Sequence, residues 1–222
     1  MSEGSASNWP RRTIAIAVGV ALVLLGAAGG IAIARTSSPP AAPTAVDIGF
    51  AQDMSVHHLQ AVQMANLAES RSEDAAVRQL AFDISSGQLE QVGRMKGWLG
   101  MWGELEQAPA GTFMTWMAGE HDGMPGMSGT SGAGIGSMPG MATSQELARL
   151  RGLNGAEFDV LFLQLMTRHH EGGILMARYG ADNAVVPVVR GLAGSIAASQ
   201  KTEVRMLKDM LLARNAQPLG AK

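Results

Sequence analysis

Laid over itself with Phe50 set on Phe162, the chain matches itself. The string FAQDMSVHHLQAVQMA at 50–65 aligns with FLQLMTRHHEGGILMA at 162–177, so that Phe50, Gln52, Met54, His57, His58, Met64 and Ala65 all recur. The register continues without a gap: Val77, Arg78, Leu80, Ala81, Ile84, Gln88, Val92, Lys96 and Leu99 return as Val189, Arg190, Leu192, Ala193, Ile196, Gln200, Val204, Lys208 and Leu211. About a third of a 50-residue window is identical, the mark of a duplicated supersecondary unit. Two units are too few for a solenoid, so they are expected to pack on each other.

Each copy, about 50–102 and 155–214, reads as two helices. Asp47 caps a first helix running to about Ala68, and Ser70 with Glu73 forms a capping-box pattern before a second helix ending near Trp102. In the second copy Asn154 with Glu157 opens a helix to about Tyr179, and another runs from about Ala184 to Arg214. Pro187 fits only in the first turn of that last helix. A short helix over 144–151, with Thr143 and Glu146 as its capping box, leads into the second copy. The fold class expected is all-α: a four-helix bundle of two duplicated hairpins over 47–214, with an N-terminal transmembrane helix.

The ends and the middle differ in kind. Residues 13–34 are 22 uncharged, mostly apolar positions flanked by Arg11, Arg12 and Arg35, and about 20 such residues cross a bilayer core. They read as a membrane anchor or signal segment behind a cytoplasmic N-terminus at 1–12. Cleavage after Ala34 would release the rest, but the paired arginines place the C-terminal part outside the cytoplasm either way. The expected location is therefore the cell membrane, single-pass, with an extracytoplasmic domain. A Pro-rich linker spans 35–46. Between the copies a Gly, Ser and Pro-dense insert at 119–143 reads as mobile, and it contains the string MPGM twice. Just ahead of it, 113–121 reads as a short helix carrying Met114, Met117 and His121.

Composition narrows the chemistry. The chain has no cysteine, which removes disulfides, thiolate zinc sites, iron–sulfur clusters and thiol catalysis. Seventeen basic against nineteen acidic residues give a net charge of −2 and no basic field for nucleic acid. Fifteen methionines and two adjacent histidine pairs stand out. With Met54 at zero on a helical wheel of 100° per residue, His57, His58 and Met64 fall within an arc of about 120°. Met166, His169, His170 and Met176 repeat the pattern. If the two first helices pack together, four imidazoles and four thioethers converge, and helical bundles commonly build metal sites from such facing side chains. Imidazole suits several metals, whereas thioether selects Cu(I), so the mixed set points to copper, with silver as an analogue. His121, Met124, Met127, Met138 and Met141 form a weaker candidate set in the insert. Met95, Met101, Met206 and Met210 read as core, and Arg78, Arg190, Glu203 and Asp209 as ordinary paired or solvated charges.

At these residues the sequence resembles the family called domain of unknown function 305. The string FDVLFLQLMTRHHEGGILMA at 158–177 is similar to that family's His-His signature, DMSVHHLQAVQMA at 53–65 to its first-copy counterpart, and Gln200 to Val204 to its Gln-x-x-Glu-Val ending. The resemblance covers about 47–214 and implies a ferritin-like helical bundle, with exported copper-binding members linked to copper resistance. Two departures bear on the copies: Gln91 stands opposite Glu203, and Leu59 opposite Glu171.

The expected function is that of a non-enzymatic, membrane-tethered protein binding Cu(I) or Cu(II) for buffering, trafficking or resistance. Its partners would be the membrane and a copper donor or acceptor in the envelope, with a homo-oligomer possible. The alternatives are a metal-free structural or signalling bundle and, less favoured, a di-iron oxidase. The latter normally needs Glu-x-x-His on two helices, and none occurs in the chain.

Overall fold

The structure, a computed structural model, describes residues 41–108, 113–117 and 136–220. The chain divides into two units, Met1–Pro40 and Ala41–Lys222, and every described residue belongs to the second. The anchor expected at 13–34, and His121, Met124 and Met127, lie outside the described residues. Among the described residues no helix is long and apolar enough to cross a membrane.

Five α-helices and no β-strand make up the described part: α1 (Ala45–Arg71), α2 (Ala75–Trp102), α3 (Ser144–Gly152), α4 (Gly155–Asn183) and α5 (Pro187–Leu212), with one 3-10 turn at Thr115–Met117. The helices α1 and α2 pair as one hairpin and α4 and α5 as the other, and the hairpins meet chiefly through α1 and α4. These two run antiparallel. Phe50, near the start of α1, packs on Gly180 near the end of α4, while Arg71 at the far end of α1 donates to Asn154 Oδ1 at the start of α4.

The helix ends follow the sequence with instructive shifts. Asp47 is not the cap of α1 but the third residue of a capping box begun by Thr44. Its carboxylate also accepts from the backbone N–H groups of Val185 and Val186, tying the start of α1 to the start of α5. Burial works to raise its pKa, but these bonds and those from Thr44 outweigh it and hold the carboxyl below its usual range. The start of α2 is capped by Asp74, which accepts from Ala76 and Val77 N–H, and Ser70 sits inside α1 instead of opening a box. The box of α3, Thr143 with Glu146, and Pro187 at the first turn of α5 stand where the sequence puts them.

Two apolar clusters flank the centre of the bundle. One gathers Phe50, Met54, Met95, Leu99, Met114, Trp116, Met117, Met138, Met176 and Ile196, and the other Met64, Leu80, Ile84, Phe158, Phe162, Leu165, Met166 and Leu207. Met95 is buried as expected, but Met101 and Met206 are not core: they are exposed, 78% and 48%. Both lie toward the C-terminal ends of the outer helices α2 and α5, on faces that no other helix covers. The reading of 113–121 as a short helix shrinks to the one 3-10 turn among its described residues, and that turn is fixed by tertiary contacts. Trp116 fits where Gly49 lacks a side chain and packs edge-on against Phe50, and its indole N–H donates to the buried Asp53 carboxylate at 2.8 Å.

Candidate metal centre

Where α1 and α4 cross, between the two apolar clusters, lie the four histidines, all fully buried. The rings of His57 and His169 stack with centroids 3.8 Å apart and planes tilted by 38°, and His169 stands 6.2 Å from His170. The outer helices add four amide or carboxylate side chains. Gln91 of α2 reaches His58, Glu203 of α5 reaches His170, and one turn earlier Gln88 and Gln200 are buried. Each long helix thus contributes two polar side chains, and every one in the first copy has its partner at the equivalent position of the second.

Hydrogen bonds set the tautomers of these rings. His57 Nε2 lies 3.1 Å from the carbonyl oxygen of Pro139, which can only accept, so Nε2 carries the proton and Nδ1 the lone pair. His58 Nε2 donates to Gln91 Oε1 at 2.7 Å, and His170 Nε2 to Glu203 Oε2 at 2.6 Å. In all three rings Nδ1 is buried without a partner, and in His169 neither nitrogen has a partner in hydrogen-bond geometry. Burial, opposed only in part by the Pro139 carbonyl, pushes His57 down to about 4. Burial and the neighbouring His57 push His58 down to about 3, and burial with the surrounding rings holds His169 well below the ordinary histidine value. These three rings are neutral at pH 7, the state in which imidazole binds a metal.

The layer is unusual in how little of its polar capacity is used. Both amide atoms of Gln88 and of Gln200 are buried without partners, in addition to the ring nitrogens. An unsatisfied buried polar group costs about 1–3 kcal/mol, so a concentration of them marks a place where a ligand supplies what the protein lacks. The donor set fits copper: imidazoles whose distal N–H is held by a carbonyl, an amide and a carboxylate, the arrangement that orients metal-binding histidine. Among the described residues no three His, Asp or Glu side chains converge as they stand, so ligation requires the stacked rings to turn.

The four methionines of the repeat part company. Met54 and Met176 sit in one apolar cluster and Met64 and Met166 in the other. Ten residues of helix separate Met54 from Met64, about 15 Å along the axis, so one ion cannot meet both. The rings occupy the centre and the thioethers flank it on two sides, where the repeat read as a wheel had suggested one shared patch.

The described end of the insert is anchored, in contrast to the mobile reading of 119–143. Met138 is buried, Met141 partly so, and both pack on the cluster that holds Met54 and Met176. The Gln60 amide grips Ala142 twice, donating to its carbonyl at 3.0 Å and accepting from its N–H at 2.7 Å. Pro139 crosses α4 at Gly172, where a Cβ would stand 2.1 Å from the Pro139 oxygen, and Gly140, at φ +77°, fits against the Arg168 carbonyl. Arg168, itself buried, binds Glu146 at the start of α3 with 2.8 and 2.9 Å bonds. The contacts of Glu203, Gln91, Gln88 and Gln200 were missed in the sequence, where Glu203 read as an ordinary charge. For Gln88 and Gln200 a signal was available, their recurrence in both copies, whereas Gln91 and Glu203 differ between the copies.

A model of the family described as domain of unknown function, DUF305, matches residues 47–211. A DUF305 protein of Streptomyces coelicolor, assigned as secreted, is 40% identical, with a TM-score of 0.69 over 79% of this chain and 97% of that one. A DUF305 fragment from Deinococcus radiodurans is 32% identical, with a TM-score of 0.60 over 78% and 98%. CopM in its Cu(I)-bound form shares the fold at 23% identity, with a TM-score of 0.55 over 75% and 96%. No curated protein matches the chain. By sequence over most of its length and by fold at 40% identity, the chain belongs to the DUF305 family.

Proposed function

We propose that this chain is a non-enzymatic copper-binding protein that holds Cu(I) or Cu(II) as cargo outside the cytoplasm, tethered by its apolar segment at 13–34. The observation that carries the reading is the central layer itself. Four buried rings present unpartnered nitrogens, and the opposite nitrogen in three of them is fixed as a donor. The absence of cysteine keeps such a site free of disulfide chemistry, and the buried Met138, next in the chain to the Pro139 whose carbonyl meets His57, offers a soft donor suited to Cu(I). The existence of CopM in Cu(I)-, Cu(II)- and silver-bound forms on the same fold supports the metal class. The Streptomyces coelicolor relative assigned as secreted supports the compartment. The reading extends to a ferritin-like bundle that passes copper to or from an envelope partner.

The test is titration of the full-length chain with Cu(I) and, separately, Cu(II) against a competing chelator, beside a variant with His57, His58, His169 and His170 all changed to Ala. Tight binding lost in the variant is the expected result. Binding kept by the variant moves the cargo to the methionines of the insert, and no binding by either protein sinks the copper reading. That last outcome would favour the metal-free bundle, for which the stacked His57–His169 pair and the lack of three converging ligands among the described residues are the supporting observations.

A further inference from the structure

The two halves of the histidine layer correspond in all but one charge. In the first copy the fully buried His58 donates from Nε2 to the neutral amide oxygen of Gln91 at 2.7 Å. In the second, the fully buried His170 donates from Nε2 to the carboxylate of Glu203 at 2.6 Å. Gln91 and Glu203 occupy equivalent positions of the two copies, as do the rings they hold. The remaining groups on the long helices that face the layer are neutral: His57 and His169, whose rings stack, and the amides of Gln88 and Gln200. Glu203 is therefore the one carboxylate bonded to the layer among its described contacts, and it is three-quarters buried.

We propose that Glu203 is the positioning residue that sets the oxidation-state preference of this site, an inference that rests on the copper reading above. A carboxylate accepting the distal N–H draws that proton away from the ring and makes Nδ1 a more basic, harder donor. It would also set a negative charge on the far side of the ring from a cation held at Nδ1, beside a fully buried imidazole where screening is weak. Both effects act more strongly on a dication than on a monocation. The His170 half favours Cu(II), while the His58 half, backed by an amide, discriminates less. A duplicated frame has in this way acquired two unequal arms, one suited to either oxidation state and one biased to the higher.

The experiment exchanges the two backing groups in the full-length chain: Glu203→Gln, Gln91→Glu and the double exchange. Affinities for Cu(II), for Cu(I) and for redox-inert Ag(I) are each measured against a competing chelator. Removing an outer-shell partner typically costs 10–100-fold in metal affinity. For Glu203→Gln the expected result is Cu(II) weakened by at least about tenfold with Cu(I) and Ag(I) nearly unchanged, which raises the potential of the bound couple by about 59 mV per tenfold. Gln91→Glu shifts the ratio the other way, and the double exchange returns it close to that of the original chain. Each variant copies what the opposite half already accommodates, and Gln91→Glu alone still decides the sign if Glu203→Gln fails to fold. Equal changes for Cu(II) and Cu(I), or none, overturn the inference while leaving copper binding intact. An original chain that binds no copper overturns both together.

Discussion

The two copies share a frame and differ in what they hold against it. The frame is reproduced to the level of single hydrogen bonds. Gln52 donates to the Leu105 carbonyl at 2.8 Å, and its counterpart Gln164 donates to the carbonyl of Gln217, the counterpart of Leu105, at 2.7 Å. Phe50 and Phe162 are both fully buried, and so are both histidine pairs. The differences gather where the insert leaves and returns. Asp53, in the place of Leu165, accepts from the backbone N–H of Met114 and the indole of Trp116, and holds Met114 at a φ of +68°, which is unfavourable for a residue with a side chain. At the other end Gly172, in the place of Gln60, lets Pro139 lie on α4, while Gln60 itself grips Ala142 from α1. One copy seats the segment ahead of the insert, at Met114 and Trp116, and both copies seat the insert's end. What duplication kept is the packing and the rings, and what divergence changed is the seating of the connecting segment and the group that backs one ring of each pair.

That division can be broken in graded steps. Phe50→Ala and Phe162→Ala should each cost about 3–5 kcal/mol, the usual range for a fully buried phenylalanine. Denaturant unfolding of the full-length chain should give similar losses for the two, and a loss confined to one copy would show that the frame is not shared. Acid comes next. His57 and His58 have folded pKa values of about 4 and about 3, below the unfolded value of 6.5. The unfolded state therefore takes up protons first as pH falls, and stability present above pH 6.5 is lost progressively down to the folded values. Between pH 7 and pH 5 the two rings together should cost roughly 4 kcal/mol, and replacing both with Gln should flatten that part of the stability–pH curve.

Smaller effects probe the clamps. Asp53→Leu, which makes the first copy resemble the second, strands two buried donors at about 1–3 kcal/mol each; it should also release the turn at 115–117, seen as lost protection of the Met114 amide in hydrogen exchange. Burial raises the Asp53 carboxyl above its usual range, against its hydrogen bonds from Met114 and Trp116. Its contribution to stability is thus full below about pH 3.8 and declines as pH rises through the folded value, a dependence that Asp53→Asn should remove. Gln60→Ala should cost about 1 kcal/mol, with the loss read locally as faster exchange at the Ala142 amide. An unchanged Ala142 amide would mean that Gly172 and Gly140 alone seat the segment.

The sequence displayed the duplication, the helix count, the Thr143–Glu146 box and Pro187, because these are local or strictly periodic signals. It showed the histidine pairs as well, and the antiparallel crossing of α1 and α4 then sets them together. The roles of Gln91 and Glu203 were hidden, since each lies far along the chain from the ring it holds and either reads as a solvated face on its own helix. The separation of Met54 from Met64 was recoverable from the helical rise but not from the wheel, which discards distance along the axis. The seating of 136–143 was masked by composition: glycine and proline there read as mobility, yet Gly140 serves close packing against α4. Asp74 displaced the Ser70–Glu73 box because its carboxylate reaches two N–H groups of the first turn directly, and it also pairs with Arg214 beyond the end of α5.

The central claim is that copper is held by the histidine layer which the duplication builds. X-ray absorption at the copper edge, on the full-length chain loaded with one equivalent of Cu(I), tests it directly. The account predicts imidazole nitrogen in the first shell, visible through the outer-shell scattering of the rings and lost when His57, His58, His169 and His170 are all replaced. A first shell of sulfur alone, unchanged by those replacements, would contradict it and assign the copper to the methionines.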